Sequence, residues 1–313
     1  MIIVRSIGKS LPEKKVLNND LPKELDTNDE WIRSHTGIGS RYLCNKDEVC
    51  SSLALGACSE ALKKAGVSAE EIDLIICTTT TPDYNNFPST ACIIQDKLGA
   101  VNATCFDLCA ACTGFLYGLN SASGMLLNNG WKYALVVGSE ILSKITDWSD
   151  RSTCILFGDG AGAFVIENRE EEEERGIGSF VSGSDGSGGM ALYVSPDDGF
   201  MKMDGHAVYN FAVKVMTEAI EKVMKKENLS EADVDYFVCH QANERIIQAA
   251  AKRLGFNMEK FICCMGEYGN TSSASIPIAL YDMQKEGKIK DGTVIVSAAF
   301  GAGLTWAGTV FRF

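Results

Sequence analysis

The sequence predicts an α/β protein built from two duplicated halves, each with a mixed, largely parallel sheet covered by helices. Apolar runs of strand length alternate along the chain with segments of helical periodicity, a pattern typical of sheets layered with helices. The pattern begins again in the second part of the chain, with matching residues at one constant offset. Three matching pairs are Ser68 and Ser230, Asp73 and Asp235, and Cys77 and Cys239. We therefore expect two related halves packed about a pseudo-twofold axis.

The elements of the first half follow from periodicity and from the residues that interrupt it. Strands are predicted at 1–10, 74–77 and 133–137, and helices at 29–38 and 51–65. Gly66 ends the second of these helices, because glycine readily adopts the left-handed conformation after a helix. The strand at 133–137 is expected to end in Gly138-Ser139-Glu140. The apolar strand runs are continuous, which indicates strands buried on both faces.

The glycine-rich segment Phe157 to Ala163 has the spacing of a dinucleotide-binding fingerprint. That fingerprint requires a helix after the glycines, whereas Ala163 to Glu167 predicts a strand. We therefore reject a nucleotide site here and expect glycines that allow close backbone packing. The acidic run Glu170 to Glu174 predicts a solvated linker, so we divide the chain into an N-terminal half, 1–170, and a C-terminal half, 171–313.

The composition is that of an ordinary soluble protein, because 46% of the 313 residues are apolar and 22% are charged. No stretch has the length of a membrane span, and the N-terminus lacks the blocks of a signal peptide. Twelve cysteines without a secretion signal predict free thiols in a reducing cytoplasm. The net charge of −12 argues against nucleic acid or an anionic membrane as a partner. We expect a cytoplasmic protein.

Cys112 lies where a predicted strand, ending near Phe106, leads into a helix that begins near Phe115. The free N–H groups and the positive dipole end of a helix N-terminus favour an anion. A thiol in this position is expected to have a lowered pKa and to act as a nucleophile.

Other interpretations of this segment remain. Cys105, Cys109 and Cys112 have the C-x3-C-x2-C spacing of an iron–sulfur cluster loop, and the last two have C-x-x-C spacing. The iron–sulfur cluster is disfavoured because Cys105 falls inside a predicted strand. A zinc site is disfavoured because the sequence offers no second pair of Cys or His residues at metal-binding spacing. Two interpretations of Cys112 remain open: it is a nucleophile, or it is a small buried residue of the core.

The duplication suggests partners for Cys112. Asn270 begins the helix of the second half that matches the Cys112 helix, and His240 follows a matching strand. A Cys, a His and an Asn at strand ends can act as nucleophile, proton handler and hydrogen-bond donor. Asn270 could equally cap its helix. Of the other histidines, His206 is expected at the surface, and His35 could contact a ligand or simply form a turn.

Six motifs, in order and spanning both halves, carry a resemblance to a known family. They are Asp29-Glu30-Trp31-Ile32, Cys109-Ala110-Ala111-Cys112-Thr113-Gly114-Phe115, Phe157-Gly158-Asp159-Gly160-Ala161-Gly162-Ala163, His240-Gln241-Ala242-Asn243, Gly269-Asn270-Thr271-Ser272 and Gly301-Ala302-Gly303-Leu304-Thr305-Trp306. Over essentially its whole length the chain resembles β-ketoacyl-acyl-carrier-protein synthase III, of the thiolase fold. The elongating synthases of that fold use Cys-His-His, so Asn270 points to the initiating, CoA-using branch. Thiolases have a second catalytic Cys where this chain has Gly301-Ala302-Gly303.

The resemblance implies an acyltransferase that condenses an acyl-CoA with malonyl-acyl-carrier protein and so initiates fatty acid biosynthesis. Cys112 would carry the acyl group, and His240 and Asn270 would donate hydrogen bonds to the malonyl thioester oxygen. The N–H groups of Cys112 and Gly303 would form the oxyanion hole of acyl transfer. The resemblance implies no metal and no tightly bound cofactor, since acyl-CoA is a substrate.

The resemblance also implies the remaining contacts. Trp31 and Arg151 would sandwich the CoA adenine, and Asn243 would contact the pantetheine arm. The family often has Arg at the position of His35, where it contacts a CoA phosphate. This chain has His there, so that contact does not carry over. The acyl pocket would be lined by Leu142, Phe157, Met201 and Met203, with Phe87 reaching in from the partner of a homodimer.

Carrier-protein docking is expected on a basic patch despite the negative net charge. Arg245, Lys252 and Arg253 recur at spacings compatible with one helix face, and Lys214 lies on another amphipathic helix. A priming enzyme of a polyketide or quinolone pathway would have the same Cys, His and Asn. A non-enzymatic, thiol-rich binding module is disfavoured, because it has no need of Asn270 opposite Cys112.

Overall fold

The computed structural model describes residues 1–170 and 175–313 and shows two central sheets layered with helices. The strands are β1 Ile2–Ser10, β2 Lys14–Leu17, β3 Ser40–Leu43, β4 Leu74–Thr78, β5 Thr104–Leu108, β6 Tyr133–Glu140, β7 Gly160–Asn168, β8 Gly176–Ile177, β9 Val181–Ser184, β10 Leu192–Val194, β11 Met201–Met203, β12 Tyr236–Cys239, β13 Val294–Gly301 and β14 Thr305–Arg312. The helices are α1 Asp29–Thr36, α2 Cys50–Ala65, α3 Thr90–Leu98, α4 Gly114–Asn129, α5 Arg151–Cys154, α6 Gly205–Lys226, α7 Glu244–Leu254, α8 Met265–Tyr268 and α9 Ser275–Lys285. In the part of the chain that is described, no helix is both long and apolar enough to cross a membrane.

The first sheet has the strand order β1-β7-β6-β4-β5. Strand β4 runs parallel to both β5 and β6, whereas β7 runs antiparallel to β6 and β1. Strands β4 and β6 are buried along their whole length because helices cover both faces, which explains their continuous apolar runs. The carboxyl ends of β4, β5 and β6 therefore meet at one edge of the sheet.

The second sheet repeats this arrangement. Its order is β12-β13-β14-β8, with β9 also pairing with β14. Strands β12 and β13 are parallel, as β4 and β6 are, and β14 is antiparallel to β13, as β7 is to β6. A single parallel bridge between Phe237 and Phe261 stands where β5 pairs with β4 in the first sheet. The predicted duplication and the α/β layering are both present in this topology.

Helices form three layers around the two sheets. Helices α4 and α9 share a core between the sheets, built from residues such as Phe115, Phe164 and Leu280. Helices α2 and α3 cover the outer face of the first sheet, and α6 and α7 cover the outer face of the second. The halves approach closely: a Cβ on Gly138 would lie 2.7 Å from the carbonyl oxygen of Ser273.

Two local predictions differ from the structure. The third predicted strand, β6, continues through Gly138 to Glu140, because these residues pair with Gly160 to Gly162 of β7. His206 is exposed, as predicted, but the polar turn that its neighbouring glycine suggested is instead the first turn of α6. The boundary between the halves at residue 170 stays a prediction, and residues 171–174 of the acidic run lie outside the described residues.

Candidate active site

A cavity of about 500 Å³ lies between the two halves, at the carboxyl ends of the parallel strands. It brings together Cys112, His240 and Asn270, the three residues predicted from the duplication. Other predicted site residues that line it are Trp31, Arg151, Phe157, Met203, Asn243 and Arg245. Among the described residues, no group of three or more His, Cys, Asp or Glu side chains is arranged to hold a metal ion.

Cys112 lies in a short 3-10 turn, Ala111–Thr113, directly before the first residue of α4. This position agrees with the prediction, but the expected lowering of its pKa is wrong for the resting protein. Burial, together with the nearby charge of Glu140, raises the pKa of the Cys112 thiol to about 12. The cost of burying a thiolate in this turn outweighs the benefit of the helix N-terminus.

His240 follows β12 and is almost wholly buried. Burial lowers its pKa to about 3, so the imidazole is neutral near pH 7. Its Nδ1 lies 2.7 Å from Ser275 Oγ, which also accepts a hydrogen bond from the Gln241 N–H. Because the described residues offer the Ser275 hydroxyl no other acceptor, donation to Nδ1 is the arrangement that satisfies it, and this places the ring proton on Nε2. This Nε2 is buried without a hydrogen-bond partner among the described residues, as expected for a donor awaiting a ligand.

Asn270 is fixed by its backbone and by its side-chain oxygen. Its N–H donates to Leu156 O at 2.8 Å, and its carbonyl accepts from the Gly158 N–H at 3.0 Å. Its Oδ1 accepts from the Ser272 N–H at 2.8 Å. The oxygen thus caps a local turn while the amide nitrogen remains a donor. The two roles considered for Asn270 are compatible, because they use different atoms.

The end of β13 packs directly against the Cys112 turn. A Cβ on Gly301 would lie 2.8 Å from the Cys112 nitrogen, so only glycine allows this approach. Gly303 has a φ of +135°, a conformation that side chains disfavour. Its neighbours Ala302 and Leu304 line the site cavities, but Gly303 itself does not. Its role in an oxyanion hole remains a prediction.

The mouth of the cavity carries the residues predicted for CoA. The Arg151 guanidinium lies 5.2 Å from the centre of the Trp31 ring, and it donates to Asp26 O at 2.8 Å. The His35 ring stacks on Trp31 with centres 4.1 Å apart, which the sequence did not predict. Asn243 caps α7 through its Oδ1 and donates to His35 O at 3.3 Å.

A second cavity of about 80 Å³ opens beside Cys112. Of the predicted acyl-pocket residues, Leu142, Phe157 and Met201 line it, whereas Met203 faces only the larger cavity. Phe87 lies on the surface, 85% exposed, and does not contact this chain's own acyl cavity. Lining residues that the sequence did not suggest are Thr80, Ile145, Leu192, Tyr193 and Val194.

The four predicted carrier-docking residues are exposed on the neighbouring helices α6 and α7. Lys214 lies on α6, and Arg245, Lys252 and Arg253 lie on α7. Arg245 also lines the large cavity, so this basic surface adjoins the cavity mouth.

One buried charged residue of the site was not predicted. Glu140, at the end of β6, has no exposed surface. Its Oε2 accepts from the Thr80 N–H at 3.0 Å and from the Thr80 and Thr81 hydroxyls at 2.9 and 3.0 Å. Its Oε1 accepts from Ser273 Oγ at 3.1 Å. An acidic residue that directly ends an apolar strand was the available signal.

Comparisons with known proteins place the chain in a family. A family model described as 3-oxoacyl-[acyl-carrier-protein (ACP)] synthase III matches residues 106–186, and its C-terminal counterpart matches residues 224–313. The β-ketoacyl-[acyl-carrier-protein] synthase III of Oceanobacillus iheyensis is 51% identical over 306 residues, which cover 98% of this chain and 97% of that protein.

Solved structures give the same result for the fold. The 3-oxoacyl-[acyl-carrier-protein] synthase III of Aquifex aeolicus has a TM-score of 0.96 and 42% identity, with both chains covered completely. The priming β-ketosynthase of the R1128 polyketide pathway has a TM-score of 0.93 and 34% identity, covering 100% of this chain and 96% of that one. With full coverage, these identities show that the chain belongs to the β-ketoacyl-[acyl-carrier-protein] synthase III family, whose members have the thiolase fold.

Proposed function

We propose that the chain initiates fatty acid biosynthesis by condensing a short acyl-CoA primer, such as acetyl-CoA, with malonyl-acyl-carrier protein. The products are a β-ketoacyl-acyl-carrier protein, CoA and carbon dioxide. Cys112 carries the acyl group as a thioester between loading from CoA and decarboxylative condensation. Family membership supports this reaction, because the names of the relatives state a β-ketoacyl-[acyl-carrier-protein] synthase.

One observation carries the proposal: the unpartnered Nε2 of His240 lies in the same cavity as the Cys112 thiol and the Asn270 amide. Two neutral donors that converge beside a thiol suit a step in which negative charge develops on an oxygen. Decarboxylation of a malonyl thioester is such a step, because the carbanion is delocalised onto the thioester oxygen. Donation from His240 and Asn270 stabilises that enolate, by roughly 10²–10³ in rate for each donor.

Loading uses a different part of the site. The Cys112 sulfur attacks the thioester carbonyl of acyl-CoA, and the oxyanion that forms receives hydrogen bonds from the N–H groups of Cys112 and Gly303. CoA leaves and malonyl-acyl-carrier protein takes its place. Neither step as proposed draws on a metal or a cofactor, because acyl-CoA itself supplies the activated acyl group.

The cavity mouth supports binding of a long, partly aromatic substrate. Trp31 is 37% exposed beside Arg151, which provides a face for the adenine and a positive charge for phosphate. Asn243 has one amide hydrogen left for the pantetheine arm, since the other bonds to His35 O. The acyl cavity of about 80 Å³ suits a short primer. The exposed cations on α6 and α7 suit an acidic carrier protein.

We propose further that the enzyme works as a homodimer in the cytoplasm, with Phe87 completing the partner's acyl pocket. A priming role in a polyketide or quinolone pathway is the second candidate, which the similarity to the R1128 priming synthase favours. Both roles share the chemistry and differ in the primer and the carrier protein that are used.

The test is intact-mass spectrometry after incubation with a panel of acyl-CoAs, followed by addition of malonyl-carrier protein. We expect an acyl adduct on the Cys112 peptide with short primers, and loss of the adduct when the malonyl substrate is added. Cys112→Ala is the matched control and should give no adduct. Adducts only on other cysteines, or an adduct that malonyl-carrier protein does not remove, would contradict the proposal.

A further inference from the structure

Asn270 lies in the C-terminal part of the chain, yet residues of the N-terminal part fix its backbone. Its N–H donates to Leu156 O at 2.8 Å, and its carbonyl accepts from the Gly158 N–H at 3.0 Å. A parallel bridge also joins Phe157 to Asn270. The direction of the Asn270 amide therefore depends on how firmly the residues that follow it are held against the first sheet.

The residue that holds the Asn270 side chain has a strained backbone. Ser272 has a φ of +50°, in the left-handed region that residues with a side chain rarely adopt. In this conformation its N–H donates to Asn270 Oδ1 at 2.8 Å. Such a conformation persists only where the surrounding contacts hold it, and its relaxation would release the oxygen that orients the amide.

Ser273, the next residue, provides this hold and is almost wholly buried. Its hydroxyl lies 2.9 Å from Thr78 O at the end of β4 and 3.1 Å from Oε1 of Glu140 at the end of β6. The hydroxyl has one hydrogen, which these two acceptors share. A Cβ on Gly138 would lie 2.7 Å from Ser273 O, so the backbone of Ser273 is enclosed as well. Ser273 thus ties the Asn270 turn to two neighbouring strands of the first sheet.

Glu140 forms a rigid end for this link. Its side chain has no exposed surface, and its other oxygen accepts from the Thr80 N–H and from the Thr80 and Thr81 hydroxyls. Thr81 Oγ1 in turn accepts from the Ile141 N–H at 2.8 Å. The carboxylate cannot rotate without leaving several buried donors unpaired, which is costly. Neither Glu140 nor Ser273 is among the described residues that line the two cavities, so both act at a distance from the substrate.

We propose that Glu140 and Ser273 are positioning residues for condensation, and that the hydrogen bond between them fixes the turn from which Asn270 presents its amide. The proposal rests on the proposed function, because it assigns a supporting role within the condensation step. Loading does not use the Asn270 amide, so loss of the link should slow condensation and spare loading. A misplacement of about 1 Å costs up to about 10²-fold in rate.

Single-turnover measurements separate the two steps. The protein is acylated with acetyl-CoA, the excess is removed, and malonyl-carrier protein is added at several concentrations while intact mass follows the adduct. Ser273→Ala should load as fast as the unmodified protein, but its maximal condensation rate should fall by about 10–10²-fold. The carrier concentration that gives half of this rate should not change, because docking involves another surface. An unchanged maximal rate would overturn the proposal.

Substitutions at Glu140 test the other end of the link. Glu140→Gln preserves it, because the amide carbonyl can accept from Thr80 and Thr81 while the NH₂ donates to Ser273 Oγ. Glu140→Leu has a similar size but offers no hydrogen bond. The maximal condensation rate should stay close to that of the unmodified protein in Glu140→Gln and fall in Glu140→Leu. Equal rates in these two variants would overturn the proposal, and Ser273→Ala gives an independent result if Glu140→Leu folds poorly.

Thr81→Val is the matched control for Ser273→Ala. It keeps the shape of the side chain but removes one hydrogen bond to Glu140, at the oxygen that is not bonded to Ser273. Its maximal condensation rate should match that of the unmodified protein. A fall as large as that of Ser273→Ala would overturn the proposal, because it would show that any loosening of Glu140 has the same effect.

Combination with Asn270→Ala shows whether the effect passes through Asn270. If Ser273 acts by holding this amide, adding Ser273→Ala to Asn270→Ala should slow condensation no further. An effect that is independent of Asn270 would add in full, and this outcome would overturn the proposal. In each case an unmodified protein that loads and condenses shows that the proposed function holds. Failure of the unmodified protein to do either would instead contradict the proposed function.

Discussion

At the scale of single residues, each donor of the site is fixed from the side opposite to the substrate. Ser275 holds Nδ1 of His240, and the Ser272 N–H holds Oδ1 of Asn270. These contacts determine which atoms remain free: a ring N–H and an amide NH₂. Because neither group changes its charge near pH 7, both can only donate and orient, which assigns them to the condensation step rather than to deprotonation of the thiol.

Asn270→Ala should therefore separate the two half-reactions. The variant should still form the acyl adduct from acyl-CoA, while condensation falls by roughly 10²–10³, the usual loss for one oxyanion donor. Intact mass measures loading, and release of carbon dioxide from malonyl-carrier protein measures condensation. Cys112→Ala provides the comparison, since it should abolish loading. If Asn270→Ala blocked loading as completely, with an unchanged circular dichroism spectrum, the assignment would be wrong.

The buried neutral imidazole also predicts how stability depends on pH. The pKa of His240 is about 3 in the folded chain and near 6.5 when unfolded, so the unfolded chain binds more protons between these values. The free energy of unfolding should thus fall on acidification through this window, by about 1.4 kcal/mol for each pH unit. Urea unfolding at pH 5.5 and 4.5 measures the slope. His240→Gln should have a slope smaller by about that amount, and equal slopes would contradict burial of a neutral ring.

At the scale of elements, the sequence predicted most strands and helices because their apolar patterns are long. The predicted end of β6 was three residues too early. Its last three residues are weak strand formers, and pairing with β7 holds them in the strand. Glu140 was overlooked for that reason, since a residue expected in a turn has no predictable partner. The Ser272 and Ser275 contacts were also out of reach, because they depend on how the two halves pack.

That packing makes Gly138 sensitive to substitution. Gly138→Ala would bring a Cβ to 2.7 Å from Ser273 O, and the backbone on both sides is fixed, so we expect a loss of about 1–3 kcal/mol in stability. Gly124→Ala on α4 is the matched control. A Cβ there meets nothing within 4 Å, so it should stabilise by about 0.5–1 kcal/mol through helix propensity. Thermal unfolding compares the two, and equal effects would contradict the close approach of the halves.

The exposed cations of α7 predict a separable role for that helix. Arg253→Glu should raise the KM for malonyl-carrier protein. The KM for acyl-CoA should not change, because acyl-CoA loading does not require the carrier. Lys63→Glu on α2 makes the same change of charge on the opposite half and should alter neither KM. The two KM values are measured at low and moderate salt, since electrostatic docking weakens with ionic strength. Equal loss of loading and condensation in Arg253→Glu would point away from docking on this face.

At the scale of the whole molecule, the duplication was visible in the sequence because equivalent residues recur at one offset. The homodimer was implied only by the resemblance and stays a proposal, which two surface features support. Strand β5 ends the first sheet and, among the described residues, pairs only with β4, which leaves an open edge. Phe87 and Tyr84, three residues apart, are 85% and 56% exposed, and neighbouring exposed aromatic side chains are typical of an interaction site. A second copy of the chain could cover both features.

Light scattering should therefore give twice the chain mass of 33.8 kDa at concentrations where the enzyme is active. Phe87→Ala should leave the fold of each chain intact, since this side chain is 85% exposed, but it should widen the range of acyl-CoAs that load, because Phe87 is expected to close the partner's pocket. Leu127→Ala is the matched control: Leu127 is 58% exposed near the far end of α4, and its loss should leave the primer range unchanged. An active monomer, or a Phe87→Ala variant with the original primer range, would show that each chain closes its own acyl pocket.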